Sequence, residues 1–267
     1  MNVRGRWVLV TGASSGLGLE IAKGLAKNHG ANLVLAARRR ERLDALKSEI
    51  ESAHQVRVEV VTSDLAKPGE AARLYEQTIE GRDIYGAVLN AGVTHFGRAT
   101  EQDDANFEAL LATNVTSLVE LSTRFARYLI GRREGGGIML VSSLAGFNPM
   151  PYQATYGASK AFVTSFGRAL NEEIRENGVS VTVFAPGGIA TEMLSNTPGI
   201  AKQYKQGDVG IMDADECAAS AIDGFLKRKD VQVPGALNRA IALATKVAPH
   251  GIVASQIARL YEKGLDK

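Results

Sequence analysis

The chain predicts an α/β fold, a doubly wound and mainly parallel sheet of seven strands with helices on both faces. Three observations predict it. Short runs of aliphatic and β-branched residues alternate with long amphipathic stretches, in the order of βαβ units. The polar and glycine-bearing connections fall after the strands, so ligands are expected at the carboxyl edge of the sheet. The composition, 45% hydrophobic and 22% charged with 28 Gly against 7 Pro, suits a compact chain rich in tight turns and excludes disorder.

The first apolar run, 7–11 (WVLVT), leads into a helical stretch over Gly16–His29. Strand 32–37 precedes a helix over Arg40–Ser52, and strand 56–62 one over Pro68–Glu80. Strand 84–90 is followed by a long helix over Asp104–Arg132, and strand 137–143 by one over Ala154–Asn177, closed by Asn177-Gly178. Strand 179–185, a helix over Asp213–Lys229 and a short strand 230–233 complete the pattern. Residues 192–212 carry Gly, Pro and Asn without periodicity and read as a substrate loop. Residues 234–267 read as a helical extension, with amphipathic helices near 237–247 and 253–263 that cap substrate, pack between subunits or touch a membrane.

At 267 residues one domain spanning 1–267 is the simplest organisation. A net charge of +2 gives no field to draw nucleic acid or an anionic membrane. Cys217 has no intrachain partner and reads as a buried, inert thiol in a reducing, cytoplasmic setting. No signal-peptide stretch precedes the first strand, and the apolar segment 236–254 is interrupted by Arg239, Lys246, Pro249 and His250, which makes it a poor membrane span. The four histidines have no metal-ligand spacing, so no metal is expected.

After the first strand comes Thr11-Gly12-Ala13-Ser14-Ser15-Gly16-Leu17-Gly18, then a helix. Glycines there serve the turn, the approach of backbone to phosphate and helix–strand packing, and the helix N-terminus offers free N–H groups to a pyrophosphate. The Gly-x-x-x-Gly-x-Gly spacing, with Asn90-Ala91-Gly92, Ser143 and Tyr156-Gly157-Ala158-Ser159-Lys160 in that order, resembles the short-chain dehydrogenase/reductase family over residues 5–191. The resemblance implies a Rossmann fold, a nicotinamide dinucleotide and a homodimer or homotetramer formed through the segments 104–132 and 154–177.

In such folds the end of the second strand reads the adenosine ribose. Here it ends Ala36-Ala37-Arg38-Arg39, with no carboxylate to bond a 2′-hydroxyl. Arg38 is therefore expected on a 2′-phosphate, helped by the hydroxyls of Ser14 and Ser15, and NADP(H) is expected over NAD. The other arginines of 38–42 read as the solvated start of a helix. By resemblance, Asp64 with Leu65 meets adenine, although a helix cap is an equal reading of Asp64. Asn90, Ala91 and Gly92 lie along the cofactor, Leu89 standing where many members have a second Asn. Pro186 and Gly187 cover the nicotinamide, with Ile189 and Thr191 binding its carboxamide.

Tyr156 and Lys160, four apart on a helix, share one face. Carbonyl reduction needs a proton donor at oxygen while hydride reaches carbon, and a free phenol near pKa ~10 is a poor base for the reverse step. Lys160 is expected to lower the Tyr156 pKa by opposite charge, together with the oxidised nicotinamide. Ser143 is suited to hold the substrate oxygen, and the thirteen-residue spacing to Tyr156 selects it over Ser142. Asn114 is by resemblance the fourth catalytic member, holding a water that links Lys160 to solvent. His95 and Phe96 are candidates for the substrate mouth. The expected activity is an NADP(H)-dependent carbonyl reductase or alcohol dehydrogenase acting on a ketone or secondary alcohol, a bulky apolar one on the strength of the C-terminal extension. An epimerase or dehydratase and an NADPH-binding sensor are the rivals.

Overall fold

The computed structural model describes residues 1–195, 208, 210–245 and 248–265. Seven parallel strands form its sheet: β1 (Trp7–Thr11), β2 (Asn32–Ala37), β3 (Val58–Thr62), β4 (Ile84–Leu89), β5 (Gly136–Val141), β6 (Val179–Phe184) and, following two short strands, β9 (Val231–Gln232). Their order is β3-β2-β1-β4-β5-β6-β9. The short strands β7 (Gly188–Ile189) and β8 (Ile211–Met212) pair with each other apart from the main sheet. The order reverses between β1 and β4, and in an open parallel sheet a crevice opens at the carboxyl ends of those two strands.

Alternation within each strand builds two cores. Val8, Val10, Leu33 and Leu35 face one side, where α1 (Gly16–His29) contributes Ile21 and Leu25, and α2 (Arg40–Ala53) contributes Leu43. Trp7, Leu9 and Val34 face the other, where α3 (Glu70–Ile79) contributes Leu74, α5 (Ser117–Arg132) Phe125 and α6 (Ala154–Ile174) Val163. Both faces are covered, so the strands are buried along nearly their whole length. On the first face α8 (Ala214–Leu226) packs along α1 and carries Cys217, fully buried, whose thiol burial pushes up to about 12.

Two expectations change. The helix expected over 104–132 is α4 (Asp104–Leu111) and α5, joined by a π-helical turn over Ala112–Thr116, because the backbone there takes on one residue beyond the regular period. Within the segment expected to be a structureless loop, Glu192–Ser195 forms a short helix, α7, and β8 closes onto β7; residues 196–207 and 209 lie outside the described ones. The extension forms α9 (Ala236–Ala244) and α10 (His250–Leu265). Among the described residues no helix is long and apolar enough to cross a membrane.

Phe125 is wholly buried and meets the Tyr75 ring edge-on at 5.1 Å. Phe125→Ala is expected to lower the unfolding free energy by about 3–5 kcal/mol. Urea titration reads this directly, and a loss under about 1 kcal/mol would contradict the packing.

Candidate active site

At the end of β1 the chain turns through Gly12 at φ +66°, where a side chain is strained. A β-carbon on Gly18 would sit 2.5 Å from both Asn90 Nδ2 and the Gly12 carbonyl oxygen. Gly18 is therefore a packing residue and, unlike the other residues expected on the cofactor, is not in the wall of the cleft. Thr11, unremarked in the sequence, ties this end together. Its Oγ1 accepts from the N–H groups of Asn90 (2.9 Å) and Ala91 (3.0 Å), and its carbonyl accepts from Asn90 Nδ2 (3.0 Å). The first turn of α1 has no side-chain cap and no acidic residue, which leaves its N–H groups for an anion.

Arg38 lines the cleft as expected. The guanidinium joined to the glycine turn, however, belongs to Arg39, whose Nη2 donates to Ser14 Oγ (3.0 Å) and Ser15 Oγ (2.7 Å). Asp64 and Leu65 line the cleft at the ends of β2 and β3. The cap reading of Asp64 does not hold, since α3 starts at Glu70 behind Gly69; Asp64 instead closes a turn, accepting from the Ala66 N–H at 3.3 Å.

Beyond β5, Ser143 caps a 3₁₀ turn, its Oγ accepting from the Ala145 N–H at 3.1 Å and donating to the Pro186 carbonyl at 3.4 Å, in the same cleft wall as Tyr156. Ser142 is consumed elsewhere, donating to the Lys160 carbonyl (2.8 Å) and bonding Thr164 (2.7 Å), which fastens α6 to β5. Gln153 starts α6 after Tyr152, which holds φ +65° while its carbonyl accepts from the Gly97 N–H. Lys160, 4% exposed, donates from Nζ to the Val141 carbonyl at 2.9 Å.

The acid–base electrostatics differ from expectation. Burial pushes the Tyr156 phenol up, only partly offset by the Ser143 hydrogen bond, and burial pulls the Lys160 ammonium down to about 8. The ammonium lies 5.7 Å from the centre of the Tyr156 ring and is anchored on a carbonyl, so it does not act as a close counter-ion to a neutral phenol.

Asn114 is fully buried in the π turn. Its Oδ1 accepts from the Val93 N–H (2.9 Å), while its Nδ2 donates to the Val93 carbonyl (2.9 Å) and to Ser159 Oγ (3.1 Å). The side-chain amide is thus spent on the loop after β4 and on α6. A β-carbon on Gly92 would come 3.3 Å from Asn114 Oδ1 and 3.4 Å from Lys160 Nζ, so this glycine keeps the way to Lys160 narrow but clear.

A single cleft of ≈ 690 Å³ runs from Ala36 and Arg38 past Ser14, Gly16 and Leu17, along Asn90, Ala91 and Gly92, to Ser143, Tyr156 and Lys160. Pro186, Gly187, Ile189 and Thr191 line its opposite wall. Its outer part is made by Val93, Thr94, Met150 and Gln153, and by Ile241, Val253, Ile257 and Tyr261 of the extension. His95 and Phe96 do not line it; Phe96 meets Tyr261 edge-on at 5.3 Å and so braces α10 over the cleft.

Residues 6–199 match the family model described as short chain dehydrogenase. The chain belongs to the short-chain dehydrogenase/reductase family. It is 33% identical over 206 residues to 17-beta-hydroxysteroid dehydrogenase type 3 of Rattus norvegicus, an alignment covering 74% of this chain and 65% of the relative. Just under two thirds of that relative's length is therefore matched. Similarity to the 7beta-hydroxysteroid dehydrogenase of Collinsella aerofaciens is 32% identity over 203 residues, 74% of this chain and 76% of the relative. A solved short-chain dehydrogenase from Sphingobium yanoikuyae, in complex with NADPH, superposes with a TM-score of 0.81 at 31% identity over 93% of this chain and 95% of that one.

The family is one of oxidoreductases with a nicotinamide cofactor, and the cleft of this chain fits such a group. The dinucleotide needs a backbone-lined trough, and Gly12, Gly16 and Gly92 supply it; a β-carbon on Gly16 would already press on the Thr191 methyl at 3.1 Å. Three features of the site have no local signal in the sequence. These are the Thr11 clamp, the Arg39 side chain on the serines and the apolar wall from α9 and α10, all made by contacts between residues distant along the chain.

The Lys160 shift has a sign that can be checked. With a folded pKa of about 8 below an unfolded value of 10.5, the unfolded chain binds more protons between these values, so stability rises with pH across that window. Relative to Lys160→Met, the wild type is expected to gain up to about 3 kcal/mol from pH 8 to 10.5. The raised Tyr156 pKa opposes this trend from about pH 10 upward, and it is common to both proteins. Urea titrations of both proteins test this, and parallel pH profiles would show that Lys160 is not depressed.

Proposed function

We propose that the protein is an NADP(H)-dependent carbonyl reductase or alcohol dehydrogenase that interconverts a bulky, apolar ketone and its secondary alcohol. The hydroxyls of Ser143 and Tyr156 carry this reading: they line the same cleft that begins at Arg38 and opens outward between apolar walls. When bound, the nicotinamide supplies hydride to the carbonyl carbon or accepts it from the alcohol. Ser143 then holds the substrate oxygen and Tyr156 gives it a proton, or takes one in the reverse direction.

A phenol kept neutral by burial is ready for reduction, and the Ser143 hydroxyl eases its ionisation. Lys160, held to the Val141 carbonyl, keeps a proton reservoir with a pKa of about 8 behind Tyr156. The Asn114 side chain, engaged by Val93 and Ser159, ties the loop after β4 to α6 beside Lys160.

Support for NADP(H) comes from Arg38 and Arg39 at the ribose end, and from the NADPH bound to the Sphingobium relative. Support for an apolar substrate comes from Met150, Ile241, Val253 and Ile257, and from the steroid-acting names of two relatives. The chain acts as one domain over 1–267, in the cytoplasm, as a homodimer or homotetramer. Phe107 on α4 and Phe162 on α6, exposed by 42% and 45%, stand on the segments assigned to that contact. Light scattering that finds only a 28.4 kDa species would overturn the assembly.

The activity is tested by following NADPH and NADH oxidation against aldehydes, aryl ketones, acyl-type ketones and steroid ketones. Turnover with NADPH, greatest for steroid ketones, is expected. Tyr156→Phe should lower kcat by ~10²-fold or more while leaving NADPH affinity intact. Preference for NADH removes the cofactor assignment, and silence of the wild type across the panel favours a nucleotide-binding sensor.

A further inference from the structure

Arg39 does not end at the serines of the glycine turn. Its Nη1 donates to Glu192 Oε2 at 3.0 Å, and the other oxygen of the same carboxylate accepts from Arg42 Nη1 at 2.6 Å. Glu192 thus bridges two arginines, one of which is also bonded to Ser14 and Ser15, where a phosphate-bearing ribose is read. Glu192 is also the first residue of α7, and it stands between Thr191, on the wall assigned to nicotinamide, and Met193 and Leu194, which line the same cleft. One side chain therefore connects the adenosine end to the wall beside the reacting centre.

We propose that Glu192 is an internal stand-in for the cofactor's 2′-phosphate: its carboxylate occupies Arg39 and Arg42, a 2′-phosphate displaces it, and the displacement frees α7 to move against the substrate.

This rests on the NADP(H) reading above. The physical case is one of competition between anions. A 2′-phosphate brings more charge and more acceptor oxygens to the same guanidinium than a carboxylate does. The Arg39–Glu192 pair is about half exposed, at 43% and 44%, and such pairs are weak enough to exchange. A carboxylate left in place would face the phosphate across a few ångströms with like charge. A nucleotide with a free 2′-hydroxyl has no charge with which to break the bridge, so NADH would leave α7 tethered. The two arginines hold the Glu192 carboxyl below the usual carboxylate range, with Arg42 the larger influence, so it stays ionised and competes at any ordinary pH.

The test uses the two adenosine halves, 2′,5′-ADP and 5′-AMP, titrated calorimetrically into the full chain and into Glu192→Gln. The wild type should prefer 2′,5′-ADP. The variant, freed of the competing charge, should bind 2′,5′-ADP about fivefold more tightly at low salt and 5′-AMP within about twofold of wild type, with the gain shrinking as salt rises. Hydrogen exchange gives a second readout that needs no variant. The peptide covering residues 188–195 should exchange faster with 2′,5′-ADP bound than with 5′-AMP bound, a difference that disappears in Glu192→Gln.

If the wild type shows no preference for 2′,5′-ADP, the NADP(H) reading fails and the coupling with it. If the preference is present but Glu192→Gln changes both nucleotides equally, or exchange in 188–195 ignores the phosphate, the coupling alone is overturned.

Discussion

The clamp of Thr11 on Asn90 and Ala91 is the contact on which the site depends. β1 and β4 are neighbours in the sheet but lie on either side of the reversal in strand order, so their carboxyl ends lead away in different directions. One hydroxyl accepting from two successive N–H groups fixes how far they part. That spacing leaves no room for a side chain on Gly18, and it puts the Asn90–Gly92 segment beside the glycine turn. From there the constraint passes inward, because Val93 is gripped by Asn114, and Asn114 in turn bonds Ser159 next to Lys160.

Tyr156 and Lys160 are consequently held by two sets of contacts that meet at α6. From one side come the loop after β4 and the π turn; from the other come Ser142 and the Val141 carbonyl at the end of β5. A π turn widens the helix by one residue, and here it carries Asn114 inward where a regular turn continues α4 into α5. Both Tyr156 and Lys160 are placed where burial disfavours their charged forms.

The outer half of the cleft follows a different logic. Its walls are supplied late in the chain, by α9 and α10, and the edge-on contact of Phe96 with Tyr261 braces α10. Apolar side chains make up most of this wall, and Gln153 and Thr94, joined at 3.3 Å, add a polar spot near the base of α6. The inner half of the cleft is therefore built by the ends of the sheet strands and α6, and the outer half by the extension.

By itself, the sequence determined the seven strands of the main sheet, their parallel character and the residues that line the inner cleft, but not the small β7–β8 pair. Those follow from short-range patterns: apolar runs of strand length, glycines at a turn, a tyrosine and a lysine one helical turn apart. Every residue expected on the cofactor lines the cleft except Gly18, whose packing against Asn90 is long-range. Only the tertiary structure decided which arginine meets the serines, which way the Tyr156 pKa moves, that Asn114 sits in a π turn with its amide spent, and that the C-terminal helices close over the cleft. The reason is the same in each case. Burial, and the contest of one side chain among several partners, depend on groups as far apart along the chain as Phe96 and Tyr261, and no local pattern carries that information.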